Sequence, residues 1–129
     1  TRKEINNQAL LDWIEQRSKQ TEKLLSVCTG ALLLGKIGLL EGKVATTHQG
    51  AIAQLTALLT PQQVHSNARI ADNGDIVLSG GISAGIDMSL HVVGQLLGIE
   101  QANKTATYME YDWNPKALKE VTQANLKSN

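Results

Sequence analysis

The sequence predicts an α/β sandwich built on a mostly parallel sheet, and three observations carry that expectation. Short apolar runs alternate with helical stretches along the whole chain, the pattern that lays helices against a sheet. One run, Leu24-Leu25-Ser26-Val27-Cys28-Thr29-Gly30-Ala31-Leu32-Leu33-Leu34-Gly35, passes through small residues into a second apolar run, as a buried strand does when it turns sharply into a helix. No repeat or low-complexity linker divides the 129 residues, a length that fits one domain with its own core. The expected organisation is a single domain over 1–129, with 115–129 as a peripheral tail.

Each element has a local reason. Asn7 can cap a helix running to about Thr21, with Leu10, Leu11, Trp13 and Ile14 inward and Glu15, Gln16 and Lys19 outward. Lys23 to Val27 reads as a short strand. After the turn at Cys28, Ala31 to Ile37 is apolar nearly all round, marking a buried helix that Gly35 and Gly38 loosen and end. Lys43 to Thr47 reads as a strand and Gln49 to Leu59 as a helix closed by Thr60-Pro61. Val64 to Ser66 reads as a further short strand. Asp72-Asn73-Gly74-Asp75 separates Arg69-Ile70-Ala71 from Ile76-Val77-Leu78 and is a strong hairpin signal. Gly80-Gly81 ends the second of these strands before a helix from Ser83 to about Leu97, and another helix starts near Glu100. Glu110 to Pro115 leaves that helix, and Pro115 opens a polar last helix. The chain enters directly into a crossover-type helix, which ordinarily follows a strand of the same sheet. The sequence therefore implies one or more βα units before Thr1.

Composition removes several function classes. Lys and Arg total 12 against 12 Asp and Glu, so no net field attracts nucleic acid or an anionic membrane surface. Aromatic residues are only 3% and Phe is absent, which leaves little for base stacking. The apolar stretches are too short to span a bilayer, and the polar start is no signal peptide. The single Cys excludes an internal disulfide framework and a cysteine-rich zinc site, and a free thiol points to the cytoplasm.

That cysteine, Cys28, is the first candidate for chemistry. A nucleophile at a strand-to-helix corner needs strained backbone angles and small neighbours that let strand and helix approach. Ser26 and Gly30 meet the second requirement two residues to either side. The first-turn N–H groups and the positive helix end would favour thiolate and could hold an oxyanion. Against this, a lone Cys in an apolar segment also fits an inert buried residue. His48, at the end of the Lys43 to Thr47 strand, is the best partner, because neighbouring strand ends converge in doubly wound folds. An imidazole there could accept the thiol proton or stabilise thiolate. His65 and His91 fit structural positions better. Asp87, inside an apolar helix, reads as a buried hydrogen-bonding residue, and Glu110 with Asp112 as tail packing or a subunit contact. Gly80-Gly81 lacks the Lys and the spacing of a phosphate-binding loop, so a nucleotide is rejected.

Four blocks then carry a resemblance: Val27-Cys28-Thr29-Gly30-Ala31, Gly38 through His48, Ser83-Ala84-Gly85-Ile86-Asp87-Met88, and Met109-Glu110-Tyr111-Asp112. Together, from about Thr1 to Asn114, they resemble the DJ-1/PfpI superfamily. Within it they are most similar to the isonitrile hydratase branch and to the ligand domains of certain AraC-type regulators. The resemblance implies a flavodoxin-like three-layer α/β/α sandwich, usually dimeric, of which this chain is the later part. It implies that Cys28 is the nucleophile, that His48 is the histidine near it, and that Thr29, where protease-like members carry His, orients substrate. Gln49 departs from the aromatic common after that histidine. The family's acidic residue beside the Cys and its Gly-Gly turn would lie before Thr1. The expected function is a cysteine-dependent hydratase or hydrolase of a small-molecule substrate, acting as a homodimer or with the missing N-terminal segment, without cofactor or metal. The alternative is a non-catalytic ligand-sensing module.

Overall fold

A computed structural model describes residues 1–123. The first helix, α1 (Gln8–Ser18), begins where Asn7 leaves helical geometry and its side chain accepts the Leu10 N–H at 3.2 Å. Leu11 is its buried residue. Trp13, expected to face inward, is 56% exposed and lies beside the Arg17 guanidinium, 5.9 Å from the ring centroid. At 3.6 residues per turn it stands roughly 200° round the helix from Leu11, which turns it to solvent.

The chain then forms β1 (Leu24–Val27), a tight turn over Cys28–Gly30, and α2 (Ala31–Lys36). A second short helix, α3 (Ile52–Leu58), follows the turn Gln49–Ala51. The hairpin comes next as β2 (Ile70–Asp72) and β3 (Ile76–Ser79), antiparallel, with Ile70 opposite Ser79. Its turn closes as the DNGD signal predicts: Asp72 Oδ1 accepts the Gly74 N–H at 2.7 Å, and Gly74 takes φ 85°, which glycine adopts without steric cost. Two long helices, α4 (Ala84–Leu97) and α5 (Ile99–Tyr108), are divided at Gly98, φ 96°. The last described strand is β4 (Glu120–Thr122).

The four strands lie in the order β1-β3-β2-β4, with β1 parallel to β3 and β4 parallel to β2. Alternation along each strand divides two cores between the two faces of the sheet. Ala71, Ile76, Leu78 and Val121 pack with α2 and α3 residues such as Ala31, Leu34 and Leu55. Ile70 and Val77 point the other way, onto Met88 and Val92 of α4. The result is a flavodoxin-like α/β/α sandwich. Helix α4 is also tied to the sheet by polar contacts: Asp72 Oδ2 meets His91 Nε2 at 2.8 Å and accepts from Gln95 Nε2 at 2.7 Å. The hydrogen bond to His91, assisted by those from Gly74 and Gln95, holds the Asp72 carboxyl far below its ordinary range, and the Asp72 contact raises His91.

Three expected elements take another form. Lys43 to Thr47 and Val64 to Ser66 meet only in one isolated parallel bridge between Ala45 and Val64. Side chains take ladder positions there: Asn73 Oδ1 accepts the Val44 N–H at 2.9 Å, and Asn73 Nδ2 donates to the Val44 carbonyl. The helix expected from Pro115 is a single 3₁₀ turn, Pro115–Ala117, which yields to β4 because β2 offers a parallel partner; residues 124–129 lie outside the described residues. The expected tail packing is made by Tyr111, whose hydroxyl donates to Asp87 Oδ1 at 3.0 Å, while Glu110 and Asp112 on either side are exposed.

Helix α4 approaches β1 through Gly85, where a Cβ would stand 2.8 Å from Val27 Cγ1. Gly85→Ala is expected to overpack this crossing and lower the unfolding free energy by about 1–3 kcal/mol, read as a lower urea midpoint. An unchanged midpoint would show that the helix shifts to admit the methyl.

Candidate active site

Cys28 stands where β1 turns into the first helical turn, and its φ is 60°. A non-glycine residue rarely occupies the left-handed region, and one that does needs outside support. The support is visible on both sides of the residue. Its N–H donates to the Gly80 carbonyl at 3.1 Å, at the end of β3, and its own carbonyl accepts from Thr47 Oγ1 at 2.8 Å. The crossing is as close as the small residues imply: a Cβ on Gly30 would lie 3.1 Å from Ser26 Oγ. Ser26 Oγ is buried without a hydrogen-bond partner, so close packing is what Ser26 supplies. The thiol is half-buried and free.

Thr29 and His48 line one cleft of about 1010 Å³, with Thr1, Glu4, Leu32 and Gln54 among its other walls. The Thr29 hydroxyl shares a hydrogen bond with the Thr1 hydroxyl at 2.7 Å. Cys28, immediately before Thr29, does not line that cleft. No hydrogen bond among the described residues joins Cys28 directly to His48; the link runs through Thr47, next to His48 in sequence and bonded to the Cys28 carbonyl.

The His48 ring has a determined tautomer. Its Nδ1 accepts the Gly50 N–H at 2.9 Å, and a backbone amide can only donate. The neutral ring therefore carries its proton on Nε2, the nitrogen beside Gly81, where an added Cβ would lie 3.2 Å from Nε2 and 2.4 Å from Cδ2. Held this way, His48 presents a donor.

A second cleft of about 570 Å³ shares His48 and includes Gly80, Gly81, Arg69, Ser83 and Lys119. Its Arg69 is anchored: Nε bonds Asp87 Oδ2, and an Nη donates to Ser83 Oγ at 3.0 Å. The hydrogen bond to Asp87 raises the Arg69 pKa, and burial beside the same carboxylate raises that of Tyr111. Asp87 is 5% exposed and fully engaged by Arg69 and Tyr111, the structural role its sequence position suggests. His65 donates its backbone N–H to Ala45 at 2.9 Å, and its ring Nε2 is buried without a partner; His91 belongs to the contact between α4 and the sheet. Gly80-Gly81 serves the crossing and the His48 ring.

Sequence reasoning missed Thr47 and Gly80 as supports of the cysteine. The tandem Thr46-Thr47 beside Val44-Ala45 is the available signal, since a fully buried threonine needs an acceptor.

No protein-family model matches the chain. Among curated proteins, it is 36% identical over 107 residues to the isonitrile hydratase of Pseudomonas putida, covering 83% of this chain and 46% of that protein. It is 30% identical over 94 residues to the HTH-type transcriptional regulator CdhR of Pseudomonas aeruginosa, covering 73% of this chain and 28% of the regulator. Among solved structures, a ThiJ/PfpI family protein from Pseudomonas syringae superposes with TM-score 0.71 and 29% identity, over 82% of this chain and 43% of that one. The chain thus spans less than half the length of each.

Thr47→Val keeps the shape of the side chain and removes the hydrogen bond to Cys28. Urea unfolding is expected to show a loss of about 1–2 kcal/mol, because the Cys28 carbonyl then lacks a partner. Equal stability in the variant would mean that the bond does not hold the turn.

Proposed function

Because the chain belongs to the DJ-1/PfpI superfamily, we propose that it carries the nucleophile side of a cysteine-dependent hydratase or hydrolase acting on a small electrophilic molecule. The observation that carries this reading is the φ of 60° at Cys28, held from both sides by Gly80 and Thr47. Strain of this kind costs about 1–3 kcal/mol and is retained where the corner has a use. An inert buried cysteine has no need of it.

In this reading Cys28 thiolate attacks the substrate carbon. First-turn N–H groups near Thr29, which lack acceptors within the helix, receive the developing charge, and His48 adds its Nε2–H. For an isonitrile, the S–C bond forms at the terminal carbon, which also takes up the thiol proton. Water then adds to that carbon, the C–S bond breaks, and an N-substituted formamide leaves as the thiol is restored. For an amide or ester the same thiolate would give hydrolysis. An acidic residue from an N-terminal part of the protein completes proton transfer in this proposal. A cytoplasmic setting, where the thiol stays reduced, belongs to the same reading. So does association with a second copy or with N-terminal βα units. The apolar cleft of about 400 Å³ lined by Val27, Ile82, Ile86 and Met109 supports such a covered face.

A ligand-sensing role is the second reading, favoured by the match to a transcriptional regulator. Turnover separates the two. In the full-length protein, Cys28→Ala is expected to reduce conversion of an alkyl isonitrile to formamide by at least about 10³-fold. Replacement of His48 by Ala should cost roughly 10²-fold, and His48→Gln, which keeps an N–H donor, should cost less. Undiminished turnover in the Cys28→Ala protein would sink the enzyme reading. Saturable ligand binding without turnover in the unaltered protein would favour the sensor.

A further inference from the structure

Away from the cysteine, on the face of the sheet covered by α4, three side chains from three elements converge: Asp72 of β2, His91 of α4 and Glu120 of β4. One donor atom from each lies within 4.8 Å of the others. We propose that Asp72 Oδ2, His91 Nε2 and Glu120 Oε1 form a binding site for a divalent first-row transition-metal ion, with zinc the natural probe.

The spacing suits such an ion. His91 Nε2 lies 2.8 Å from Asp72 Oδ2 and 3.8 Å from Glu120 Oε1. Bonds of about 2.0–2.1 Å in a tetrahedron set donor atoms roughly 3.3–3.4 Å apart, between those two separations, so small side-chain adjustments suffice. One imidazole and two carboxylates form a borderline-to-hard donor set that fits zinc and its neighbours. Part of the support around the donors is already built. The Gly74 N–H fixes Asp72 Oδ1 at 2.7 Å, and Gln95 Nε2 donates to Oδ2 itself at 2.7 Å, which orients that oxygen and leaves it a second lone pair for the ion. Asp72 and His91 side chains are 8% and 15% exposed, whereas Glu120 is 33% exposed and leaves the solvent side open for entry and for a water ligand. Lys23 is the cation whose charge reaches His91, and its ammonium is held on the Gly74 carbonyl at 2.6 Å.

The occupied site would join β4 to β2 and α4 through one ion. On binding, His91 coordinates through Nε2 as a neutral ring that keeps its hydrogen on Nδ1, the Nε2 proton of the imidazolium passing to solvent, and the two carboxylates neutralise the dication. This site is independent of the chemistry at Cys28.

The test is calorimetric titration of the metal-free full chain, carrying Cys28→Ser to remove a competing thiol, with zinc chloride near neutral pH. One zinc per chain is expected. At a hundredfold excess of free zinc over Kd, the melting temperature should rise by about 5 °C or more. His91→Gln and Glu120→Gln should each weaken binding by about 100-fold or more, at or beyond the loss seen for outer-shell partners. Glu120→Gln leaves the Asp72–His91 contact intact, so its effect reads ligand loss in a folded protein. Cobalt(II) bound in place of zinc should give a visible ligand-field spectrum that the His91 variant lacks. Absence of saturable binding, or binding that survives both substitutions, would overturn the site.

Discussion

The turn at Cys28 is the constraint around which the rest of the chain is arranged. A non-glycine residue at φ 60° does not hold itself there, and two hydrogen bonds from distant segments fix it. Gly80 can supply its carbonyl only because β3 runs parallel to β1 and ends level with it, Val27 opposite Ser79. Thr47 can supply its hydroxyl only because the segment from Val44 passes close to the turn with its own backbone bonded to the Asn73 side chain. The strand order, the hairpin and the buried Asn73 all bear on one pair of backbone angles. Small residues at Ser26, Gly30 and Gly85 let the neighbouring elements close around it.

The same segment orients His48. Thr47 faces the cysteine backbone and His48 the two clefts, so one short run both supports the turn and presents a ring. The Gly50 amide then decides which nitrogen carries the hydrogen. Beyond it, Arg69, Asp87, Ser83 and Tyr111 form a bonded network that joins the residue before β2, the start of α4 and the segment after α5. Asp87 is the buried member, and its charge is tolerated because a guanidinium and a phenol meet it. This network stiffens the wall of the cleft of about 570 Å³ and leaves Lys119 as an exposed cation there.

Local features of the sequence that need no distant partner were the legible ones. The Asn7 cap, the Asp72 to Asp75 turn, the break between α4 and α5 and the small residues around Cys28 act within a few positions, and the structure holds all of them. Trp13 misled because a large apolar residue next to an inward stripe was counted as part of it, whereas helical geometry turns it to solvent beside Arg17. Lys43 to Thr47 misled because its alternation suits a strand, yet Thr46, Thr47 and Asn73 satisfy backbone groups with side chains, and one bridge remains.

By itself the sequence determined the kind of fold and the corner at Cys28, because hydrophobic period, glycine and capping chemistry are local properties. Tertiary structure alone decided what holds that corner, and that Glu120 to Thr122 becomes a strand beside β2. Those outcomes depend on hydrogen bonds between residues 19 to 50 or more positions apart. No local pattern records which distant carbonyl or amide will be there to receive them.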